Sequence, residues 1–248
     1  MSGAVAPLWR RAAAEAIGTG LLVAVVVGSG IAAAALSHGD VGLQLLENAF
    51  ATALGLAVLI LAIGPVSGAH FNPVVSLVDW WLGRAGGSGL TFRDLAAYLP
   101  AQLGGAIAGA ALANLMYGEP AVTWSTKHRS AGHLWLAEVV ATAGLILLIF
   151  ALAWTGRATL APAAVGAYIG SAYWFTSSTS FANPAVTIGR AFSDTFAGIA
   201  PSSVPAFIFF QLVGGIVGAG LVALLYADAG RAADDIVTPH TDTTGAPS

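Results

Sequence analysis

A chain of 248 residues with 57% hydrophobic and only 8% charged side chains cannot present a soluble surface, where about a quarter of residues are charged. Nine Lys/Arg against twelve Asp/Glu give a formal net charge of −3, too small to draw the chain to nucleic acid or to a strongly charged partner. Cysteine is absent, which excludes disulfides and thiolate metal sites, and lipid is the implied solvent for most of the exterior.

The chain opens MSGAVAPLWRRAAAEAIG, two arginines ahead of an apolar run in the manner of a signal peptide. The run continues to about Leu36 and further spans follow, so it reads as a first transmembrane helix that is retained. Six segments are apolar and long enough for ~30 Å of hydrocarbon: Trp9 to Leu36, Leu45 to Ile63, Leu95 to Met116, Leu134 to Trp154, Leu160 to Thr176 and Val204 to Tyr226. Between them lie two semi-apolar stretches, Asn72 to Leu82 and Asn183 to Phe192, too short to span and each beginning Asn-Pro. Irregular backbone at membrane depth survives only where it is buried in protein or lines a watery cavity. The polar end, Asp228 to Ser248, has no apolar periodicity and reads as a disordered cytoplasmic tail. With both termini inside, the inner side holds Arg10, Arg11, Arg84, Arg93, Arg157 and Arg231, and the outer side Lys127, Arg129 and Arg190. That bias predicts a cytoplasmic N-terminus.

The two halves repeat. AEAIGTGLL at Ala14 matches AEVVATAGL at Ala137, HFNPVVSL at His70 matches FANPAVTI at Phe181, and Gln102, Gly105 and Gly109 match Gln211, Gly214 and Gly218. These pairs are 123, 111 and 109 residues apart and keep the same order. Three spans per repeat is an odd number, so the second repeat must lie inverted, which places the functional site near the bilayer midplane. The expected organisation is a first repeat over 1–120 with its half-helix at 72–82, a second over 121–227 with its half-helix at 183–192, and the tail 228–248. The Gln-x-x-Gly-x-x-x-Gly rows read as small-residue faces for close helix crossing.

Asparagine is a favoured N-cap, and proline is pre-organised for the first helical position. Asn72-Pro73 and Asn183-Pro184, at matched positions of an inverted repeat, predict two half-helices meeting N-terminus to N-terminus. Their positive dipole ends then face the membrane centre, repelling cations while the two asparagine amides offer hydrogen bonds to a neutral molecule. Glu15 and Glu138 stand in apolar spans, where a carboxylate is costly; a proton relay and a buried acceptor for loop backbone are both open to them.

These residues resemble the aquaporin (major intrinsic protein) family, from about Trp9 to Tyr226. The matching pieces are SGAHFNPVVSL from Ser67, PAQLGGAIAGA from Pro100, FANPAVTIG from Phe181 and FQLVGGIVGAG from Phe210. The resemblance implies an all-α integral membrane protein of six transmembrane helices plus two re-entrant half-helices. It also implies one pore per subunit and a homotetramer in the cell membrane, needing no cofactor and no partner beyond the bilayer and small neutral solutes. The pore centre would comprise Asn72, Pro73 and Val74 with Asn183, Pro184 and Ala185, while Glu15, Glu138 and His70 would brace the half-helix loops.

Two departures stand out. Val74 replaces the usual alanine, adding methyls expected to narrow or dry the pore centre. Val186 stands where typical members carry the arginine of the outer filter. Arg190, four residues on, reads as a solvated or headgroup-facing side chain, the other reading being partial replacement of that charge. Ungapped counting assigns the remaining filter positions to Thr52 (or Leu54), Ser171 and Ser180. A filter of Thr52, Ser171, Ser180 and Val186 is small and mostly neutral, and predicts a constriction wider than water requires. The expected function is therefore passive passage of neutral solutes: glycerol, undissociated hydroxides such as arsenous acid, and water, with cations and protons excluded. A valine in place of that arginine is similar to a bacterial branch associated with arsenical handling. A water-selective pore is the first alternative. A secondary transporter would need an ion-coupling site, for which the spans offer only Glu15, Glu47 and Glu138. A membrane enzyme would need a nucleophile–base pair, and the only histidine at a span is His133 at an edge.

Overall fold

The computed structural model describes residues 6–86 and 89–226; Arg231 and the tail from Asp228 lie outside them. Among the described residues eight α-helices follow one another: α1 Leu8–Leu36, α2 Val41–Ser67, α3 Pro73–Gly86, α4 Phe92–Met116, α5 Gly132–Trp154, α6 Ala161–Phe175, α7 Pro184–Arg190 and α8 Val204–Leu225. Five of them (α1, α2, α4, α5 and α8 with its leading turn) are long and apolar enough to cross a membrane. The sixth span is α6, with 15 residues behind a 3₁₀ turn over Ala158–Leu160. At about 1.5 Å per α-helical and 2.0 Å per 3₁₀ residue the two together rise roughly 28 Å. The short α3 and α7 are the two half-helices.

The spans extend beyond their apolar runs where polar groups find partners. Helix α2 begins at Val41 because the Asp40 side chain accepts the Leu43 N–H, and it stops at Gly68, which takes a left-handed φ of 88°. Inside it, the Asn48 amide donates to the Val26 carbonyl of α1 at 2.9 Å and to Ser29 Oγ at 2.8 Å. Helix α4 opens with a capping box between Thr91 and Asp94, and Arg11 of α1 reaches Asp94 at 2.7 Å. That ion pair joins the starts of α1 and α4, so the two run parallel.

Small residues set the crossings. A Cβ on Gly105 would lie 2.1 Å from the Ala16 carbonyl oxygen, and one on Gly109 would lie 2.0 Å from that of Gly20. In the other half, Gly214 meets the Val139 carbonyl and Gly218 the Ala143 carbonyl, both at 2.7 Å. Helices α1/α4 and α5/α8 therefore touch backbone to backbone. Without a hydrophobic drive between helices in lipid, such close approach supplies dispersion contact. The same device seats the half-helices: Gly189 of α7 lies against Ala106 of α4, and Gly215 of α8 against Val74 of α3.

Candidate functional site

Each half-helix is preceded by a loop held by a buried glutamate. Glu15 Oε1 accepts from Ser67 Oγ at 2.6 Å and the His70 N–H at 3.0 Å. Its Oε2 accepts from the Phe71 N–H at 2.7 Å and the Gln102 amide at 2.8 Å. Glu138 mirrors this, taking the Phe181 N–H at 3.0 Å, the Ala182 N–H at 2.9 Å and the Gln211 amide at 2.6 Å. The same amides continue to Ser76 Oγ and Thr187 Oγ1, each one turn past its asparagine. His70 Nδ1 lies 3.0 Å from Ser76 Oγ, with its ring edge-on to Tyr98. Both carboxylates thus act as acceptors for loop backbone.

These braces hold strained chain. Ala69, Phe71, Thr179, Ser180 and Ala182 have φ between 47° and 63°, a region that costs a non-glycine residue about 1–3 kcal/mol. Ala69 matches Ser180 and Phe71 matches Ala182 at the spacing that relates the two asparagines. A charge-assisted hydrogen bond contributes about 1.5–3 kcal/mol, so the glutamate bonds are large enough to maintain the distortion. Its result is a row of backbone carbonyls, those of Ala69, His70, Ser180 and Phe181, that accept no hydrogen bond among the described residues.

The half-helices meet at their N-termini. Asn72 Oδ1 accepts the Val74 N–H at 2.9 Å; Asn183 Oδ1 accepts those of Ala185 and Val186 at 2.9 and 3.2 Å. Each amide then crosses to the opposite loop, Asn72 Nδ2 donating to the Ala182 carbonyl and Asn183 Nδ2 to the Phe71 carbonyl, both at 2.8 Å. An amide has two N–H donors. One on each asparagine is thereby spent and one remains.

The cavity that runs past this junction offers about 70 Å³ to the centres of water molecules, several times the ~10–15 Å³ that one water needs. One wall is the polar strip of loop residues from Ala69 to Asn72 and Ser180 to Asn183; the other is aliphatic, including Leu22, Val26, Leu56, Ile60, Leu145 and Val165. His70 is part of the polar wall as well as a brace.

The structure brings Thr52, Ser180 and Val186 to this lining, and Ser180 Oγ is buried without a partner. Leu54 is 52% exposed on the outer surface, so on α2 it is Thr52 that faces the cavity. Ser171 is corrected: it is exposed and bonds the Tyr168 carbonyl of its own helix. Gly166 and Gly170 press α6 against Ala53 of α2, and that helical phase turns Val165, Ile169 and Tyr173 inward. On α6 it is therefore Tyr173 that faces the cavity, its hydroxyl 3.2 Å from Thr52 Oγ1. The i, i+4 spacing of Val165, Ile169 and Tyr173 is the signal that identifies it.

Pro73, Val74, Pro184 and Ala185 are buried but lie outside the cavity wall; of the six residues expected at the pore centre only Asn72 and Asn183 line it. Val74 does not narrow the pore, because its side chain fills the space that Gly215 leaves on α8. Arg190 is corrected too. It is neither solvated nor facing headgroups but 2% exposed, in the cavity wall, with its guanidinium carbon 3.5 Å from the centre of the Phe181 ring.

A family model described as Major intrinsic protein matches residues 4–180. The chain is 50% identical over 222 residues to aquaglyceroporin AqpS of Rhizobium meliloti (strain 1021), covering 90% of this chain and 92% of that one. It is 32% identical over 260 residues to a glycerol uptake facilitator protein of Pseudomonas aeruginosa, covering 89% and 90%. Among solved structures it is similar to the aquaglyceroporin from Plasmodium falciparum at 21% identity, with a TM-score of 0.64 over 89% of this chain and 96% of that one. Two half-helices crossed by their asparagines on an all-helical membrane fold, together with these matches, establish that the chain belongs to the major intrinsic protein family of membrane channels.

Proposed function

We propose that the chain is a passive channel for small neutral solutes, glycerol-like polyols and undissociated metalloid hydroxides among them, with water able to follow. The observation that carries this reading is the two-sided cavity wall. Free loop carbonyls and the remaining Asn72 and Asn183 N–H donors form one side, and aliphatic side chains the other. A polyol has the same two sides, hydroxyls along one edge and carbon along the other. Its hydroxyls donate to the carbonyls and accept from the asparagines, replacing hydration bonds as it advances, while its carbons slide on the aliphatic wall. Cations meet the positive ends of two half-helices, which repel them where a neutral solute is accepted. Names of relatives support the same class: one is an aquaglyceroporin and another a glycerol uptake facilitator protein.

In this reading the molecule conducts and does no covalent chemistry. Its halves, 1–120 and 121–227, are inverted repeats; it assembles as a homotetramer in the cell membrane with both termini cytoplasmic, as the arginine bias supports. Thr52, Tyr173, Ser180 and Val186 form its outer constriction. The absence of cysteine leaves trivalent arsenic no thiolate to be trapped on.

Stopped-flow light scattering on proteoliposomes tests this. Vesicles shrink in an impermeant osmolyte and should re-swell within the same recording in glycerol and in arsenous acid. Water flux without solute entry would overturn the solute reading in favour of a water-selective channel. Flux that follows a proton or sodium gradient would overturn the passive mechanism.

A further inference from the structure

Val186 leaves the usual filter position without a charge, and Arg190 lies one helical turn further along α7, on the same face. Both line one cavity. We propose that Arg190 supplies the fixed cation of this filter from that displaced position, so that Val186 contributes width while charge selection is kept.

Three features of the side chain carry the argument. A guanidinium has five N–H donors; here Nε donates to the Ala197 carbonyl, and no described residue accepts from Nη1 or Nη2. Four donors therefore stand unspent on a group 2% exposed in a cavity wall. Second, no carboxylate of a described residue pairs with it, Arg11–Asp94 being the ion pair found among them. A buried ion without a counter-ion is expensive, and inside a membrane such a group marks a conduction path. Third, it is held still. It stacks on the Phe181 ring, whose own N–H is fixed by Glu138 and whose edge meets Phe207 at 5.1 Å. The loop carrying Ala197 is pinned on both sides, Ser125 N–H to the Ala191 carbonyl and Ala200 N–H to the Lys127 carbonyl.

Tyr173 and Thr52, whose hydroxyl oxygens pair at 3.2 Å, belong to the wall of the same cavity. A neutral hydroxyl can thus accept from the guanidinium and donate to one of these oxygens, whereas a small cation is repelled at the same point. The inference rests on the channel reading above, but it fails separately from it.

The test compares wild type with Arg190→Gln and Arg190→Lys in proteoliposomes, measuring glycerol entry and methylammonium entry. Wild type is expected to pass glycerol and exclude methylammonium. Arg190→Gln keeps a polar side chain without charge, and should admit methylammonium at least about tenfold faster while still passing glycerol. Arg190→Lys keeps the charge but loses the Nη donors, so it should exclude methylammonium and slow glycerol. A merely structural arginine would make the two variants equally defective. The inference is overturned if monodisperse Arg190→Gln excludes methylammonium as wild type does, or if wild type itself admits it. Should Arg190→Gln fail to fold, Arg190→Lys decides, since methylammonium entry through that variant also overturns the inference. Loss of wild-type glycerol entry with water flux intact would sink the solute reading alone, and the methylammonium comparison would still judge Arg190.

Discussion

Replacing Glu138 by glutamine changes little in shape and much in hydrogen bonding. The carboxylate now accepts from the backbone N–H groups of Phe181 and Ala182 and from the Gln211 amide. A glutamine keeps one acceptor and sets an NH₂ group where the other oxygen stood. If the remaining oxygen keeps Phe181, the new donors face the Ala182 N–H and Gln211. Gln211 can turn its amide over, because its Oε1 is buried without a partner and would then accept. The Ala182 N–H cannot turn without moving the loop, so one buried backbone donor is orphaned, at about 1–3 kcal/mol. The surviving bond also loses its charge assistance, roughly half its strength. Together these give about 2–4 kcal/mol, or a fall in Tm of roughly 4–16 °C for a chain of this length. Thermal unfolding of the detergent-solubilised protein, followed by tryptophan fluorescence, measures the fall. Glycerol entry should slow as well, because the Ala182 carbonyl positions Asn72 and the Ala182 backbone leads into Asn183. A Glu138→Gln variant that melts within 1 °C of wild type with unchanged flux would refute the bracing role.

Other expectations follow from where side chains point. Val74→Ala should leave solute flux unchanged, because Val74 packs on Gly215 outside the wall; Gly215→Ala should cost about 1–3 kcal/mol by overpacking, and the double variant should recover most of it in thermal melts. Ser171→Ala should be silent in liposome flux while Tyr173→Phe shifts the glycerol-to-water ratio, and the reverse outcome would restore the position that ungapped counting assigns. Lys127 of the α4–α5 loop, the only lysine in the chain, donates to the Phe196 carbonyl in the segment between α7 and α8. Partial burial, then Arg129 and Arg190, lower its pKa from 10.5 to about 8. Its amine is protonated and unreactive below that pH and free above it, so acylation followed by peptide mass spectrometry should reach half its maximal rate near pH 8. A midpoint above pH 10 would contradict this. A membrane-impermeant reagent should label Lys127 only from outside.

Hydropathy, the inverted order of matched segments and the two Asn-Pro pairs are properties of the chain as a line of residues. They sufficed for six spans, two half-helices meeting at their N-termini and an all-helical membrane channel. Glu15 and Glu138 stood out as well, as carboxylates in apolar spans, but their bracing role came from the family resemblance while the residues alone left a proton relay open. Tertiary structure decided what the pore wall is made of. Whether Ser171 or Tyr173 faces solute depends on the rotation of α6, set by Gly166 and Gly170 against α2. Whether Val74 narrows the pore depends on a glycine some 140 residues away, at position 215. Arg190 looked solvated from its charge alone, yet the Phe181 ring and the Ala197 carbonyl draw it into the wall. In each case a local pattern states what a residue would cost in lipid, and only packing against a distant element states which way it turns.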